Sequence, residues 1–533
     1  MTVYLNFTKN LKGFLSMKRF IVLLLALVMV VSCFAACGDD KGKTTPQSQS
    51  TPKPGGSSTG DKEIPENEKL NLDLDSIDHE EATVTVFHWK PENGCVEFGM
   101  EPDQINNDAV NDAIYKRNSY TETGLGISIE WIENNYAYNK MTQFTDKLRA
   151  RLADPMTPVD IVAAQTKGMP YLITEGLLTD LNTYSDILDL SKAWWPEDCK
   201  EVLEIKDRTY FVSGDISANL MRMMTVLFVN KKTLEARGYE YEALMEKIKA
   251  YEWTLDDLIS MTTGVYEDLD TVTAGPSVGD KFGLVTLSFH SDAIFTGLGY
   301  RYMIKSNKDD EVFRFSNQVV SETAVNYITK MKNWSENNDL WLDRWEKSYE
   351  EIFTNGDSFF ILHRAWFGFE LQKTDIQYAV LPTPALDTKQ GEYFTTIGNQ
   401  YTSYGICTQA PDYDMAAETI QTLGYYGMST TTPALFEVSF QGKFSKDDYT
   451  IEMFNIIRDS IIFDIGRIYD YYIALESGTS SQELLGHLIT NIISFPIRDK
   501  TNFTFNATSD PTRRAMNGYV DTANQKLLNY INS

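Results

Sequence analysis

The chain has 533 residues, 42% hydrophobic and 23% charged, enough to bury the cores of two or three packed units. Lys and Arg number 48 against 75 Asp and Glu, a net charge of −27 that repels phosphate backbones and excludes nucleic acid as a partner. Of five cysteines, Cys33 and Cys37 fall in the leader, and Cys95, Cys199 and Cys407 are too far apart and odd in number for a disulfide framework. The five histidines are scattered and no HExxH occurs, so neither a metal nor a cofactor is expected.

The N-terminus reads as an address. Lys18 and Arg19 precede an apolar run from Phe20 to Val31, which is a secretory signal too short to span a bilayer. Met17 is the expected initiator, with residues 1–16 an over-long gene start. Phe34-Ala35-Ala36-Cys37 resembles a bacterial lipobox, whose cysteine is acylated and becomes the mature N-terminus. Cys33 after Val30-Val31-Ser32 is the alternative acceptor. Cys37 is favoured because Gly38 and a charged polar stretch follow it. Residues 1–37 are thus a signal with lipobox. Residues 38–81, rich in Ser, Thr, Pro, Gly and charge, are expected as a disordered tether spanning about 30–40 Å. The result is a body held at the outer face of the cytoplasmic membrane by lipid.

The body alternates strands and helices. Ala82–Trp89 alternates and is β-branched, hence a strand. A helix follows over Asn107–Thr123, ended by Gly124, then a strand over Ile127–Ile132. Met141, Phe144, Leu148 and Leu152 mark a helix over Tyr138–Ala153, and Val159–Ala164 is a short buried strand. This β-α-β-α-β order predicts a parallel sheet with crossover helices. Thr225–Asn230 is a strand. Thr254 with Asp257 forms a capping box for a helix over Leu255–Thr263. Thr323–Asn337 is helical, Phe359–Leu362 and Tyr378–Leu381 are strands, and Ala416–Leu423 and Met453–Ile462 are helical. Ser480 with Glu483 caps a further helix. Trp194 and Trp195, before Pro196, read as packing residues.

From about residue 83 to 425 the order of segments resembles the extracellular solute-binding proteins of family 1, the sugar-type capture subunits of ABC importers. The carriers are TVFHWK, FTDKLRARLAD with PVDIVAAQ, TEGLLTDLNTY, MTVLFVNKKTLEARGYE, YEWTLDDLISMT, EEIFTNGDSFFILHRAW, YAVLPTPAL and SYGICTQAPDYDMAAETIQTLGY. Thr395–Tyr401 stands where the family commonly has a glycine-rich segment. The resemblance implies an α/β, two-lobed periplasmic-binding-protein-like fold of type II, with a ligand cleft between lobes and extra C-terminal helices. It places lobe 1 at 82–211 and 397–450, and lobe 2 at 212–396 and 451–533. It implies a monomeric, lipid-anchored protein, not an enzyme, that delivers a mono- or oligosaccharide to ABC permease subunits. A surface lipoprotein for sensing or adhesion, or a binder of peptides, is the alternative.

A sugar presents C–H faces to aromatic rings and hydroxyls to carboxylates, amides and guanidiniums. Strand ends are where an open α/β sheet offers such groups. On that ground His88 and Trp89 at the end of the first strand and Gln165 after VDIVAA are candidates. So are Asp215 and Asn219 near the first crossover, Arg364 after FFIL, and Asn399 and Tyr401 in the second crossover. The resemblance adds Trp366 as a ligand-stacking residue. Arg364 also suits a carboxylated sugar. A hydrolase reading lacks support: no GxSxG or GxxxxGK[ST] occurs, and Gly297-Leu298-Gly299 lacks the third glycine of a dinucleotide loop.

Overall fold

The computed structural model describes residues 64–91, 96–99, 108–134, 140–269, 275–343, 348–441, 448–476, 498 and 511–532. Three strands come first: β1 (Ala82–Trp89), β2 (Ile127–Asn134) and β3 (Ile161–Gln165). Then follow β4 (Thr225–Asn230), β5 (Phe282–Leu287), a small hairpin of β6 (Met303–Lys305) and β7 (Phe313–Phe315), β8 (Leu340–Asp343), β9 (Ser358–Arg364) and β10 (Tyr378–Leu381). Short β11 (Thr395–Thr396), β12 (Thr402–Ile406) and short β13 (Ile461–Ile462) complete the set.

These strands make two principal sheets, one per lobe. The first has the order β12-β3-β1-β2 and the second β10-β4-β9-β5-β8. β1 runs parallel to both β2 and β3, as the β-α-β-α-β reading predicts, because the helices between them carry the chain back over the sheet. β12 returns to the first sheet antiparallel to β3, with Thr402 opposite Gln165. In the second sheet β4 lies antiparallel between β9 and β10, while β5 is parallel to β8 and β9. The chain therefore leaves the first sheet after β3, touches it again where Val212 bridges Tyr404, and rejoins it at Thr402.

Local chemistry sets the element ends. Asp108 caps the first helix by accepting from the N–H groups of Val110 and Asn111, and the helix spans Ala109–Leu125. It passes through Gly124, where the sequence predicts its end. Gly124 stays helical under Leu74, and the stop is Gly126, whose φ of 65° is the left-handed turn. Met141–Leu152 buries the four apolar residues at 3–4 spacing. The Thr254–Asp257 capping box forms in both directions and opens the helix Leu255–Thr262. The helix expected over Met453–Ile462 instead spans Asp448–Asp459 and gives way to β13, because Ile461 and Ile462 pair with β11. The capped helix expected from Ser480 lies outside the described residues, as do Cys33, Cys37 and Cys95.

One further expectation changes. Residues 64–81, expected as part of the tether, pack on the body: Leu70, Leu74 and Ile77 meet the core and the Asn71 amide donates to Ile187 O at 2.8 Å. Three apolar residues at helical-like spacing outweigh the polar composition around them. Trp194 and Trp195 are buried packing residues, and both indole N–H groups donate to Gln421 Oε1, at 3.4 and 3.2 Å. Cys199 and Cys407 are free and buried. Among the described residues no helix is long and apolar enough to cross a membrane, and no cluster of three or more His, Cys, Asp or Glu is placed to hold a metal.

The segment Asp448–Glu476 clasps both sheets. Its Arg458 pairs with the buried Asp215 beside the first crossover and donates to Ala193 O at 2.7 Å. Burial pushes the Asp215 carboxyl up while Arg458 pulls it down. Gly427 lets the neighbouring helix approach: a Cβ there would sit 2.2 Å from Asp215 O. Arg458→Ala strands a buried carboxylate, and it is expected to cost about 3–5 kcal/mol in denaturant unfolding; the double change with Asp215→Asn is expected to recover most of that loss.

Candidate ligand-binding site

The ends of β3 and β12 and the returning segment after β13 converge on one small cavity. β3 ends at Gln165, and a single turn, Thr166–Gly168, follows. The Thr166 N–H donates to Tyr401 O at 3.0 Å, and its hydroxyl lies 2.7 Å from Ser403 Oγ. The Gln165 amide donates to Asn399 O at 3.1 Å. These bonds fix the second crossover, residues 397–401, against the end of β3. From the second lobe, Thr296 bonds through its hydroxyl to Thr396.

The cavity wall includes Lys167, Thr296, Asn399, Tyr401, Asp464 and Arg467. It admits the centre of a water-sized sphere over ≈ 20 Å³, room for about one water and too little for a sugar ring. The Arg467 guanidinium donates to Asn399 Oδ1 at 3.0 Å. Asp464 caps the helix Ile465–Ile468 and accepts from the Tyr302 N–H at 3.1 Å. The Lys167 ammonium stands 3.8 Å from Asp470 Oδ2. Burial lowers Lys167 to about 8, opposed by Asp470 and reinforced by Arg467. Burial raises the Asp464 carboxyl and the Tyr401 phenol.

The nine candidates divide. Asn399 and Tyr401 line the cavity, and Gln165 holds Asn399. Arg364 lies against the same crossover: a Cβ on Gly398 would come within 2.7 Å of its Nε. Its Nη1 donates to Thr225 Oγ1. Trp366 is half-buried just beyond, edge-on to His363 at 4.9 Å, and is absent from the cavity wall.

Of the other four, Asn219 and Trp89 join a network around Glu97, His88 packs beside it on Phe98, and Asp215 pairs with Arg458. The fully buried Glu97 carboxylate accepts from Ser217 Oγ, Asn219 Nδ2 and Thr402 Oγ1 at 2.5, 2.5 and 2.6 Å. The Trp89 indole donates to Thr402 Oγ1 at 2.9 Å. His88 stacks on Phe98 at 4.0 Å. These residues tie the segment after β1 to both crossovers. Sequence reasoning missed Glu97, Lys167, Thr296, Asp464 and Arg467. The signal for Asp464 and Arg467 was present: they interrupt the apolar and aromatic run Ile461–Ile473 at a three-residue interval shared with Asp470.

A model of the bacterial extracellular solute-binding proteins matches residues 117–423, more than half of the chain. The chain belongs to that family. As a family member it works outside the cytoplasm. The family's fold is evident in solved structures. A cyclo/maltodextrin-binding protein complexed with maltotetraose is 14% identical, with 84% of this chain and 98% of that chain covered at a TM-score of 0.52. A sugar transporter from Rhizobium etli in an open conformation is 11% identical, with 85% and 99% covered, also at 0.52. No curated protein matches the sequence closely enough to count as a relative.

His88 and Asp198 give opposite pH signatures in this solute-binding protein. Burial lowers His88 to about 4, so between pH 6.5 and 4 only the unfolded chain gains its proton, and stability falls with acidification. The advantage of wild type over His88→Phe is expected to shrink by about 3 kcal/mol between pH 7 and 4. Burial raises Asp198 to about 7, so its contribution is complete below pH 3.8 and declines as pH rises through 7. Asp198→Asn is therefore expected to gain on wild type between pH 4 and 7. Parallel slopes in urea melts of all three proteins contradict both assignments.

Proposed function

We propose that this solute-binding protein captures a carbohydrate between its lobes and hands it to the permease subunits of an ABC importer, without catalysis. The observation that carries the reading is the cavity where strand ends of both lobes meet. Its wall supplies the threonine hydroxyls, the Asn399 amide, the Tyr401 ring and the charged groups of Asp464 and Arg467. Hydroxyl-rich rings need this mixture of flat aromatic surface and dense hydrogen-bonding groups. The two solved relatives support it, one described with maltotetraose bound and one as a sugar transporter.

The four residues His88, Trp89, Asp215 and Asn219 then act as supports, holding the crossovers on which Asn399 and Tyr401 sit. Gln165 positions Asn399, and Arg364 reaches the solute beside Gly398. Lobe 1 comprises residues 82–211 and 397–450, and lobe 2 the remainder of the body. The mature protein is a monomer, held at the membrane through lipid on Cys37.

A thermal-shift screen of mono- and oligosaccharides, peptides and amino acids tests the reading. A sugar at 100 times its Kd is expected to add about 2.7 kcal/mol of stability, and Asn399→Ala to weaken its binding about tenfold. Shifts with peptides alone remove the carbohydrate assignment. Cys37→Ser is expected to release the protein from the cell surface into the medium. Retention of that variant on the membrane excludes Cys37 as the anchor.

A further inference from the structure

The C-terminal segment carries charge to a place where charge is costly. Asp464, Arg467 and Asp470 are all buried. The first is bonded to backbone N–H groups of Tyr302 and Arg467, and the third lies 3.8 Å from the Lys167 ammonium. Arg467 differs. Among the described residues its guanidinium has one acceptor, the neutral Asn399 Oδ1, and its buried Nε has no partner.

Arg364 approaches from the second sheet, over Gly398, and donates to the neutral hydroxyl of Thr225. The two guanidiniums thus rest on consecutive residues of one crossover, Gly398 and Asn399. Among the described residues, neither forms an ion pair with a carboxylate. Burial lowers Arg364 to about 9, and Arg467 lowers it further while Asp292 works in the opposite sense. Asp464 and Asp292 act on these guanidiniums only from beyond ion-pair distance, and a buried guanidinium with no carboxylate in direct contact is costly, the more so with a second one nearby. Arg467 lines the cavity and Arg364 stands just behind its wall at Gly398; paired guanidiniums at one crossover are the groups that receive a carboxylate or sulfate. Arg467 lies beyond residues 117–423, the span that matches the family.

We propose that Arg364 and Arg467 together receive an acidic substituent of the solute, so that the captured carbohydrate is an acidic sugar bearing a carboxylate or sulfate. This inference rests on the carbohydrate reading above. Lobe separation exposes both guanidiniums, the anionic group settles between them, and closure returns them to a site where each has a charged partner.

The test is calorimetry on the full-length lipoprotein in detergent with matched probes. Digalacturonate and a sulfated disaccharide are each compared with the neutral disaccharide of the same linkage. At least one acidic probe is expected to bind about 10–100-fold tighter than its neutral counterpart. Preference for digalacturonate identifies a carboxylate, and preference for the sulfated probe a sulfate. Arg467→Gln and Arg364→Gln, with folding checked by circular dichroism, are expected to abolish the gap. Arg467→Lys should keep part of it. If a variant does not fold, the wild-type ratio still decides. Neutral sugars binding as tightly as acidic ones, or a folded Arg467→Gln with the gap intact, overturns the inference and leaves the carbohydrate reading standing. Binding of no sugar of either kind overturns both.

Discussion

Two stretches of chain pass between the sheets, and they are hydrogen-bonded to each other. Val212 and Tyr404 exchange backbone bonds of 2.9 and 2.8 Å, and the Gly398 N–H donates to Met223 O at 2.8 Å. Everything that concerns the ligand depends on this paired crossing. Because the second crossover must run beside the first, residues 397–401 are pinned between β3 of one lobe and β9 of the other. A polar backbone in that position must have its groups satisfied, and Thr166, Gln165 and Met223 do so. The side chains of Asn399 and Tyr401 are then presented to the space between lobes.

The same crossing explains why so many polar groups are buried away from the cavity. Glu97, Ser217, Asn219, Thr402, Trp89 and Arg117 surround the point where both crossovers leave the first sheet. Burial raises the Glu97 carboxyl, and three hydrogen bonds offset that effect. A buried hydrogen-bond network is directional in a way an apolar core is not, so it fixes where the crossovers start. On the proposed reading, bending between lobes is confined to the few residues that follow, as in a hinge that closes two rigid bodies around a solute.

Most of the fold was legible in the sequence because it depends on local periodicity. Ala82–Trp89, Thr225–Asn230 and Tyr378–Leu381 are strands at their expected limits, since β-branched and aromatic runs bounded by turns leave little choice. The site was legible in part. Strand-end logic found Gln165, Arg364, Asn399 and Tyr401, whose positions follow from the sheet order. The same logic brought His88 and Trp89 to the end of β1, where Thr402, far along the chain, takes Trp89 into the Glu97 network and His88 packs on Phe98. Lys167 and Arg467 meet Asp470 and Asn399 across 303 and 68 residues, counted from their numbers, and no pattern within one segment encodes such pairings. What the sequence did carry was the anomaly of three charges in a buried run, and two of them, Asp464 and Arg467, line the cavity.

The central claim is that the solute lies between the lobes, against residues 397–401 and Arg467. The most direct measurement is a crystal structure of the protein soaked or grown with whichever sugar stabilises it most. The account predicts that sugar in an enlarged interlobe cavity, with its polar groups within hydrogen-bond distance of Asn399 and Arg467. Sugar bound on the outer face of either sheet, with Asn399 and Arg467 arranged as they are here, contradicts it.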